Sequence, residues 1–240
     1  MDNPKISVLI PLYNRKHYIA QCVDSALNQT FKKSYEIIIR DNCSNDGGFE
    51  FVSEKYSKQI SKGKIRLYKN EENIGEFGST HQMFKDSAGK YVIILHADDM
   101  YIPQSLESLY MTAEKFNADV VHSIQFLNSP KDGVINDDTK FQLMRPEQEF
   151  VDKATVMPND PAWRFQEIIN ASGFYGDTQY SFFRRDFILS NDLLFDAFGS
   201  GSKSRKTFLL PWLMLAKVYV KTPVVHYIRR YSKYKIFERQ

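Results

Sequence analysis

Short runs of apolar, β-branched and aromatic residues alternate with segments of helical spacing through the first half of the chain. After the first run, apolar side chains recur three or four residues apart from Ile19 to Leu27, with Gln21 and Asp24 on the opposite side. The next three runs are followed by similar segments, two of them at Phe49–Ile60 and Phe77–Ser87. This alternation predicts an α/β fold with a mostly parallel central sheet flanked by helices. The predicted strands are Lys5–Leu12, Tyr35–Asp41, Lys64–Asn70, Tyr91–Leu95 and Ala118–Phe126.

The pattern changes from about Ser129 onwards. A polar, turn-rich segment is followed by an aromatic-rich one, and PWLMLAKVYVKTPVVHYI then restores a helix followed by a strand. No internal repeat or low-complexity tract separates the two halves. We therefore predict a single domain in which residues 129–240 extend the sheet that is built by residues 1–128.

Polar clusters follow the predicted strands at the points where these strands end. In open parallel sheets, ligands bind beyond the carboxyl ends of the strands, so the clusters are expected to converge on one site. Turn chemistry alone accounts for any one cluster, because Asn, Asp and Gly favour turns. The clusters are Pro11–Arg15, Asp41–Asp46, Asn70–Gly75 and His96–Asp99.

The fourth strand runs directly into two adjacent carboxylates, Asp98 and Asp99. Two neighbouring negative charges repel each other and need a compensating partner. A divalent cation is one such partner, since hard cations prefer oxygen ligands. A solvated turn at the strand end is the alternative that this local sequence leaves open.

Composition narrows the class of protein. The 240 residues are 42% hydrophobic and 25% charged, which is ordinary globular composition. A formal net charge of +3 is too weak to indicate nucleic acid as a partner. Cys22 and Cys43 provide neither a disulfide framework nor a metal-ligand spacing, and the N-terminus lacks the pattern of a signal peptide. No apolar stretch reaches the roughly 18–20 residues of a membrane span, so we expect a cytoplasmic protein.

Several sequence blocks resemble those of family 2 glycosyltransferases, which have the GT-A fold. ISVLIPLYNRKHYIAQCVDSALNQTFKKSYEIIIRDNCSNDGG is similar to their opening, which has a strand ending Pro-x-Tyr-Asn, a helix ending Leu-x-Gln-Thr and a strand ending Asp-Asp-x-Ser-x-Asp-Gly. ENIG and AGKYVIILHADDMY resemble a later block that ends Asp-Ala-Asp-Asp. The blocks occur in the family's order between Lys5 and Leu106, which makes the resemblance specific.

The resemblance implies an inverting transferase that moves a sugar from a nucleotide diphosphate donor, expected to be a UDP-sugar. The acceptor is then a saccharide or a lipid-linked molecule in bacterial surface polysaccharide synthesis. Residues 1–128 would form the nucleotide-sugar-binding half, and residues 129–240 the acceptor-binding half with a basic C-terminal tail. By position, the implied donor-nucleotide residues are Pro11, Tyr13, Asn14, Asp41, Asn42, His96 and Ala97, and the implied ligands of Mn²⁺ or Mg²⁺ are Asp98 and Asp99.

The chain departs from the family pattern at the donor site. Asn42 replaces the second acid of the first pair, and His96 replaces the first acid of Asp-x-Asp. His96 either contacts the donor or the metal shell, or merely closes the strand. Thr80 and His81 stand where many members carry Arg-Asn near the donor phosphates. Cations of the segment GSGSKSRKTF, namely Lys203, Arg205 and Lys206, are candidates to compensate.

The catalytic base is the largest departure. An inverting transferase needs a carboxylate to accept the proton of the acceptor hydroxyl. The family places it before a Trp-containing helix, but Ser202–Thr207, before FLLPWLMLAK, contains no acid. We predict Asp177 in GFYGDTQYSFFRR as the base, with Glu167 and Asp196 as weaker candidates; a turn aspartate after Gly176 is the plain alternative.

Two other functions remain open at this point. The missing acid before FLLPWLMLAK favours a catalytically inactive nucleotide-sugar-binding protein. A nucleotidyltransferase is less favoured, because PLYNRKHY lacks the glycine-rich phosphate loop expected after its first strand. The tail HYIRRYSKYKIFERQ interleaves basic and aromatic residues, which fits either peripheral contact with the inner face of the membrane or a solvated basic surface.

Overall fold

A computed structural model describes residues 3–131, 133–144, 151–170, 180–191 and 214–231. The strands are β1 (Ile6–Leu12), β2 (Tyr35–Asp41), β3 (Ile65–Lys69), β4 (Tyr91–Ile94), β5 (Met100–Tyr101), β6 (Val120–Ser123), β7 (Phe126–Asn128), β8 (Gln142–Met144), β9 (Thr155–Val156), β10 (Ser181–Arg184), β11 (Tyr219–Thr222) and β12 (Tyr227–Arg229). The helices are α1 (Lys16–Leu27), α2 (Gly48–Lys55), α3 (Ser57–Ser61), α4 (Gly75–Asp86), α5 (Ser105–Phe116), α6 (Pro161–Asn170) and α7 (Arg185–Ser190). Across these ranges, no helix combines the length and apolar character that crossing a bilayer would require.

The main sheet has eight strands in the order β3-β2-β1-β4-β10-β6-β11-β9. Strands β3, β2, β1 and β4 are parallel, β10 is antiparallel to both β4 and β6, and β11 is parallel to β6. The predicted mostly parallel α/β sheet is therefore confirmed. Because β1 has β2 and β3 on one side and β4 on the other, the chain changes direction across the sheet at β1. Such a switch point opens a crevice at the carboxyl ends of the strands.

The sheet is buried on both faces, which explains why its central strands are continuous apolar runs. Along β1, Val8 and Ile10 pack into one core with α1, α2 and α5, whereas Leu9 packs into a second core with α4 and α7. All three side chains are fully buried. Packing on both faces fixes β1 against β2 and β4. The polar loops that follow these strands therefore begin at the same edge of the sheet.

Two predicted elements are divided in the structure. The predicted strand Ala118–Phe126 becomes β6 and β7, which belong to different sheets; where they part, the Ser123 hydroxyl donates to Val224 O at 2.5 Å. The predicted helix Phe49–Ile60 becomes α2 and α3, which meet at Tyr56. The Tyr56 hydroxyl donates to Ala20 O at 3.0 Å and to Asp24 Oδ1 at 2.8 Å, which ties the break to α1.

A second, four-stranded sheet was not predicted. Its order is β5-β12-β7-β8, so it joins the segment after Asp99 to the last described strand of the chain. The second half of the chain therefore contributes to both sheets, with β9, β10 and β11 in the main sheet and β8 and β12 in the small one. The functional division at residue 128 remains a prediction.

Candidate functional site

The structure brings the ends of β1, β2, β3 and β4 together. Leu12 pairs with Asp41 across β1 and β2, Asn42 N donates to Leu12 O at 2.8 Å, and Asn70 N donates to Asp41 O at 2.8 Å. On the other side of β1, Leu95 N donates to Leu9 O at 2.8 Å. The four polar clusters therefore line one edge of the sheet at its switch point.

Asp41 organises the loops that follow β1 and β2. Its carboxylate is fully buried and accepts hydrogen bonds from the backbone N–H of Ser44, at 3.0 Å, and from the Ser44 hydroxyl. The same hydroxyl accepts from Asn14 N at 3.0 Å, and Asn14 Oδ1 accepts from Asn45 N at 3.0 Å. These contacts hold Asn14 at a φ of 49°, a left-handed conformation that Asn tolerates better than most residues.

Asn42 shapes the loop between β3 and α4. Its Nδ2 donates to Asn73 Oδ1 at 2.6 Å, and its Oδ1 accepts from Asn70 Nδ2 and from Ile74 N, both at 3.0 Å. A carboxylate could not make this set of contacts, because it has no donor for Asn73. The asparagine that replaces the family's second acid is thus matched to this loop.

Two exposed apolar side chains lie on the loops that follow β1 and β3. Tyr13 is 43% exposed after β1, and Ile74 is 41% exposed next to the backbone N–H that contacts Asn42. Pro11 lies within β1, two residues before Tyr13, and is half-buried. Sequence reasoning named Tyr13 but missed Ile74, whose signal was an apolar residue inside the polar segment ENIG.

Asp98 lies in the turn after β4, beside Arg15, which the sequence placed in a converging cluster without indicating a role for it. Its side chain is 5% exposed, and its Oδ2 lies 3.4 Å from Nε of Arg15. Nη1 of Arg15 donates to Asn14 O at 3.1 Å. The topology could have indicated this pair, because Arg15 follows β1 and β1 is the parallel neighbour of β4.

Asp99 has quite different surroundings, deep in the protein. Its fully buried carboxylate accepts from the Tyr227 hydroxyl at Oδ2 and from Arg230 N at Oδ1, each at 2.7 Å. These contacts tie the carboxylate to β12 in the small sheet. The predicted role of Asp99 as a metal ligand stays a prediction, and these protein contacts do not favour it.

Arg230 fixes the backbone of the same turn. Its Nε donates to Asp98 O at 2.9 Å, Nη1 to Gly133 O at 2.6 Å, and Nη2 to Gln21 Oε1 at 2.5 Å. Burial lowers the pKa of Arg230, while the nearby carboxylate of Asp99 opposes that shift. Arg230 is 3% exposed, so it cannot belong to a membrane-facing basic surface, and residues 232–240 of the tail lie outside the described residues.

The end of β4 also meets α4 and α1. Nε2 of His96 lies 3.4 Å from Oε1 of Glu76 in the first turn of α4, and Ala97 is buried. Beneath the turn, Cys22 Sγ donates to His96 O at 3.4 Å. Burial, reinforced by the negative charges of Asp99 and Asp98, raises the pKa of the Cys22 thiol well above its ordinary value. These contacts leave both predicted roles of His96 open.

The residues that stand at the family's Arg-Asn positions are both buried in α4. Thr80 and His81 are 3% and 4% exposed, and the Thr80 hydroxyl donates to Glu76 O within α4 at 2.8 Å. Several other predicted residues lie outside the described residues, among them Asp177, Asp196, Lys203, Arg205 and Lys206. Glu167 lies in α6, but its side chain is likewise outside the described part.

A divalent cation would find one well-placed carboxylate here. Among the described residues, no group of three His, Cys, Asp or Glu side chains is arranged to hold a metal ion. Asp98 nevertheless offers a hard oxygen beside Arg15, at the carboxyl ends of β1 and β4. Mg²⁺ in particular is commonly held by one or two carboxylates together with substrate phosphates and water. The donor set therefore fits a cation that arrives with a diphosphate, not one held by the protein alone.

Comparison with known proteins agrees with this arrangement. The Glycosyl transferase family 2 model matches residues 7–172, which include all four polar clusters. The poly(ribitol-phosphate) beta-N-acetylglucosaminyltransferase TarP of Staphylococcus aureus is 29% identical over 228 residues, a match that covers 93% of this chain and 62% of TarP.

Two solved structures share the fold. S. aureus TarS 1–349 in complex with UDP superimposes with a TM-score of 0.74 at 21% identity, covering 98% of this chain and 62% of that one. The mannosyltransferase PcManGT of Pyrobaculum calidifontis, in complex with GDP-Man and Mn²⁺, superimposes with a TM-score of 0.59 at 14% identity, covering 97% of this chain and 59% of that one. This chain thus spans less than two thirds of the length of each of these proteins.

Proposed function

This chain belongs to glycosyl transferase family 2, and on that premise we propose that it transfers a sugar from a nucleoside diphosphate donor to an acceptor hydroxyl. The observation that carries the proposal is the crevice at the switch point of the sheet. There Asp98 lies beside β1, whose next loop is joined to Asp41 through Asn14 and Ser44. The residues that we assign to the nucleoside and the carboxylate that we assign to a diphosphate-bound cation thus lie on adjacent strand ends.

We propose a UDP-sugar as the donor. TarS binds UDP in a structure that shares this fold, and the name of TarP specifies transfer of N-acetylglucosamine. UDP-N-acetylglucosamine is therefore the first donor to test. Tyr13 supplies an exposed aromatic face for a base, and Asp41 and Asn42 hold the loops on either side of it.

Asp98 would hold Mn²⁺ or Mg²⁺ at the diphosphate. Bound there, the ion would neutralise the charge that accumulates on the departing nucleoside diphosphate. PcManGT, with Mn²⁺ in its complex, supports a divalent ion in this fold. The hydrogen bonds of Asp99 favour a structural role over metal binding, because they join β12 to the turn that carries Asp98.

We propose Asp177 as the general base of an inverting reaction. The reaction requires a carboxylate near the acceptor, on the side of the sugar away from the diphosphate. Asp41 and Asp99 are engaged in hydrogen bonds with the protein, and Asp98 is assigned to the cation. We therefore place the base in the second half of the chain, where Asp177 follows Gly176 among aromatic residues that suit a sugar acceptor.

The acceptor we propose is a saccharide or lipid-linked molecule of bacterial surface polysaccharide synthesis, acted on in the cytoplasm. TarP, named for a poly(ribitol-phosphate) acceptor, supports a cell-surface polymer. Basic residues of the tail beyond Tyr231 would then contact the inner face of the membrane, where lipid-linked acceptors are found. A second candidate is an inactive nucleotide-sugar-binding protein, which the absence of an acid from Ser202 to Thr207 favours.

A binding and turnover panel tests the proposal. Calorimetry with UDP, UDP-N-acetylglucosamine and GDP-mannose, each with Mn²⁺ or with EDTA, should show binding of the uridine compounds that Mn²⁺ strengthens. Asp98→Asn is the matched control, because it changes one charge and leaves Asp41 and Asn42 in place. Absence of binding by every nucleoside diphosphate would contradict the proposal, and binding without turnover of any donor would favour the inactive protein.

A further inference from the structure

We propose that Arg40, in β2, is a positioning residue for the donor's nucleoside. Its guanidinium fixes the direction in which the side-chain amide of Asn70 donates, and Asn70 in turn orients Asn42 and the loop between β3 and α4. This inference rests on the proposed function, because that function places Asn42 beside the nucleoside. It adds a residue that acts on the site through two others.

The guanidinium of Arg40 is itself held at the edge of the sheet. Its Nη2 donates to Asp86 Oδ2 at 2.5 Å, and the group lies over the ring of Tyr68, 4.6 Å from the ring centroid. The Arg40 side chain is 13% exposed. A charged partner on one side and an aromatic ring on one face restrict the guanidinium, so that Nη1 stays directed at Asn70.

Arg40 sets the direction of the next hydrogen bond, because a guanidinium donates and cannot accept. Its Nη1 donates to Asn70 Oδ1 at 3.0 Å. The amide nitrogen of Asn70 therefore points the other way, where it donates to Asn42 Oδ1 at 3.0 Å and to Ser79 Oγ at 2.8 Å. With the Asn70 amide reversed, its nitrogen would face Nη1 and its oxygen would face Asn42 Oδ1, and both contacts would be repulsive.

The same direction continues into the loop between β3 and α4. Asn42 Oδ1 accepts from Asn70 Nδ2 and from Ile74 N, each at 3.0 Å. The amide nitrogen of Asn42 therefore faces Asn73, whose Oδ1 accepts from it at 2.6 Å and from Gly75 N at 2.9 Å. Two backbone N–H groups of the loop thus bind side-chain oxygens that have the direction set by the guanidinium.

Loss of this direction should reach the nucleoside through Asn42 and the exposed side chain of Ile74. Without Arg40, the Asn70 amide could turn over, and Asn42 Oδ1 would then lose a donor. The loop would divide between two arrangements, only one of which keeps Ile74 N bound to Asn42. A ligand that binds one of two arrangements has its apparent affinity reduced by the fraction of protein in that arrangement.

The test compares Arg40→Gln, whose amide either donates or accepts, with Arg40→Lys, whose ammonium group only donates. Calorimetry would measure the binding of UDP with Mn²⁺ and with EDTA. We expect Arg40→Gln to bind UDP about 3- to 10-fold more weakly, as for the loss of one hydrogen bond. The factor should be the same with and without Mn²⁺, because Asp98 lies across β1 from this loop. Arg40→Lys should retain most of the affinity.

Hydrogen exchange followed by NMR separates positioning from support of the fold. In Arg40→Gln, exchange of the Ile74 N–H should accelerate several-fold more than exchange of the Asn42 N–H, which is bonded to Leu12 O in the sheet. Arg66→Gln is the matched control, because Arg66 lies on the neighbouring strand and donates to Glu36, Tyr68 and the backbone of Asp86. It should leave both the exchange ratio and the affinity for UDP unchanged.

Three outcomes would overturn the inference. Equal acceleration at Ile74 and Asn42 would show that Arg40 only supports the fold. Unchanged UDP affinity in Arg40→Gln, with binding intact in the unaltered protein, would show that the loop does not depend on Arg40. Weakening confined to the samples with Mn²⁺ would place the effect at the diphosphate. Absence of UDP binding by the unaltered protein would instead contradict the proposed function and the inference together.

Discussion

The hydroxyl of Tyr227 donates a hydrogen bond to Oδ2 of Asp99 at 2.7 Å, and this contact joins the last described strand to the turn that carries Asp98. Both side chains are fully buried. Burial, the charge of Asp99 and this hydrogen bond all raise the pKa of the Tyr227 hydroxyl, with burial as the largest cause. The Tyr227 hydroxyl therefore keeps its proton at physiological pH, and this proton is the one that it donates to Asp99.

Removing that hydroxyl should weaken both the fold and the site. In Tyr227→Phe, a buried carboxylate loses a donor, which we expect to lower the free energy of unfolding by about 1–3 kcal/mol. Urea unfolding measures the change. Tyr13→Phe is the control, because Tyr13 is 43% exposed and its hydroxyl should contribute little to stability. Equal stability of the two variants would show that the bond to Asp99 contributes nothing measurable.

Substitution by asparagine should affect UDP binding at Asp98 and the free energy of unfolding at Asp99. We expect Asp98→Asn to remove the Mn²⁺-dependence of UDP binding and to destabilise the fold less than Asp99→Asn does, because the 3.4 Å contact of Asp98 with Arg15 is longer than the two 2.7 Å hydrogen bonds of Asp99. We expect Asp99→Asn to cost roughly 2–3 kcal/mol, because its amide group would face donors in the interior. Urea unfolding and calorimetry with UDP separate the two. Loss of Mn²⁺-dependence in Asp99→Asn with full stability would instead support Asp99 as a ligand.

The division of labour between these aspartates could not be predicted from local sequence. The run Tyr91–Leu95 and the polar residues after it predict a strand end at a ligand site, because parallel topology places such ends together. What Asp99 contacts depends on Arg230, which lies 131 positions further along the chain and reaches it through a second sheet. Local periodicity carries no information about such pairing. The basic tail was for the same reason interpreted as a surface, although Arg230 is buried.

At Asn42 the structure explains a departure from the family pattern. The reason lies in the loop between β3 and α4, to which Asn42 is hydrogen-bonded. From sequence alone, Asn42 is a departure from the family's acid pair with no evident reason. In the structure, an amide is needed to donate to Asn73 while it accepts from Asn70 and Ile74. Those partners follow β3, so the reason for the asparagine becomes apparent only when β2 and β3 are paired.

The free energy of unfolding should fall in acid because of a buried histidine in β6, His122. The Nδ1 of His122 lies 2.8 Å from the Ser181 hydroxyl, and burial lowers the pKa of His122 from 6.5 to about 3, with smaller contributions from Lys221 and His226. Between these two pH values the unfolded chain binds a proton that the folded chain does not. The linkage relation then requires the free energy of unfolding to decrease as the pH falls through this window.

The measurement is urea unfolding at pH 7 and at pH 5 for the unaltered protein and for His122→Gln. The unaltered protein should lose about 2 kcal/mol more than the variant, since the variant lacks the proton-binding ring. His17→Gln is the control, because His17 is exposed on α1 and lies in water in both states. An equal loss in all three proteins would show that His122 is not held neutral by burial.

The last prediction concerns the proton that an inverting transfer must remove from its acceptor. Asp98 beside a cation would be a poor base, because the ion stabilises the ionised carboxylate. Asp41 and Asp99 accept hydrogen bonds from the protein and cannot reach an acceptor. We therefore expect Asp177→Asn to bind UDP with unchanged affinity and to transfer sugar about 10²–10⁴-fold more slowly. Single-turnover transfer and calorimetry measure the two quantities separately, and Glu167→Gln and Asp196→Asn serve as matched controls that keep near-normal rates. Normal transfer by Asp177→Asn together with a slow Glu167→Gln or Asp196→Asn would assign the base to that residue, because the chemistry still demands one carboxylate on the acceptor side.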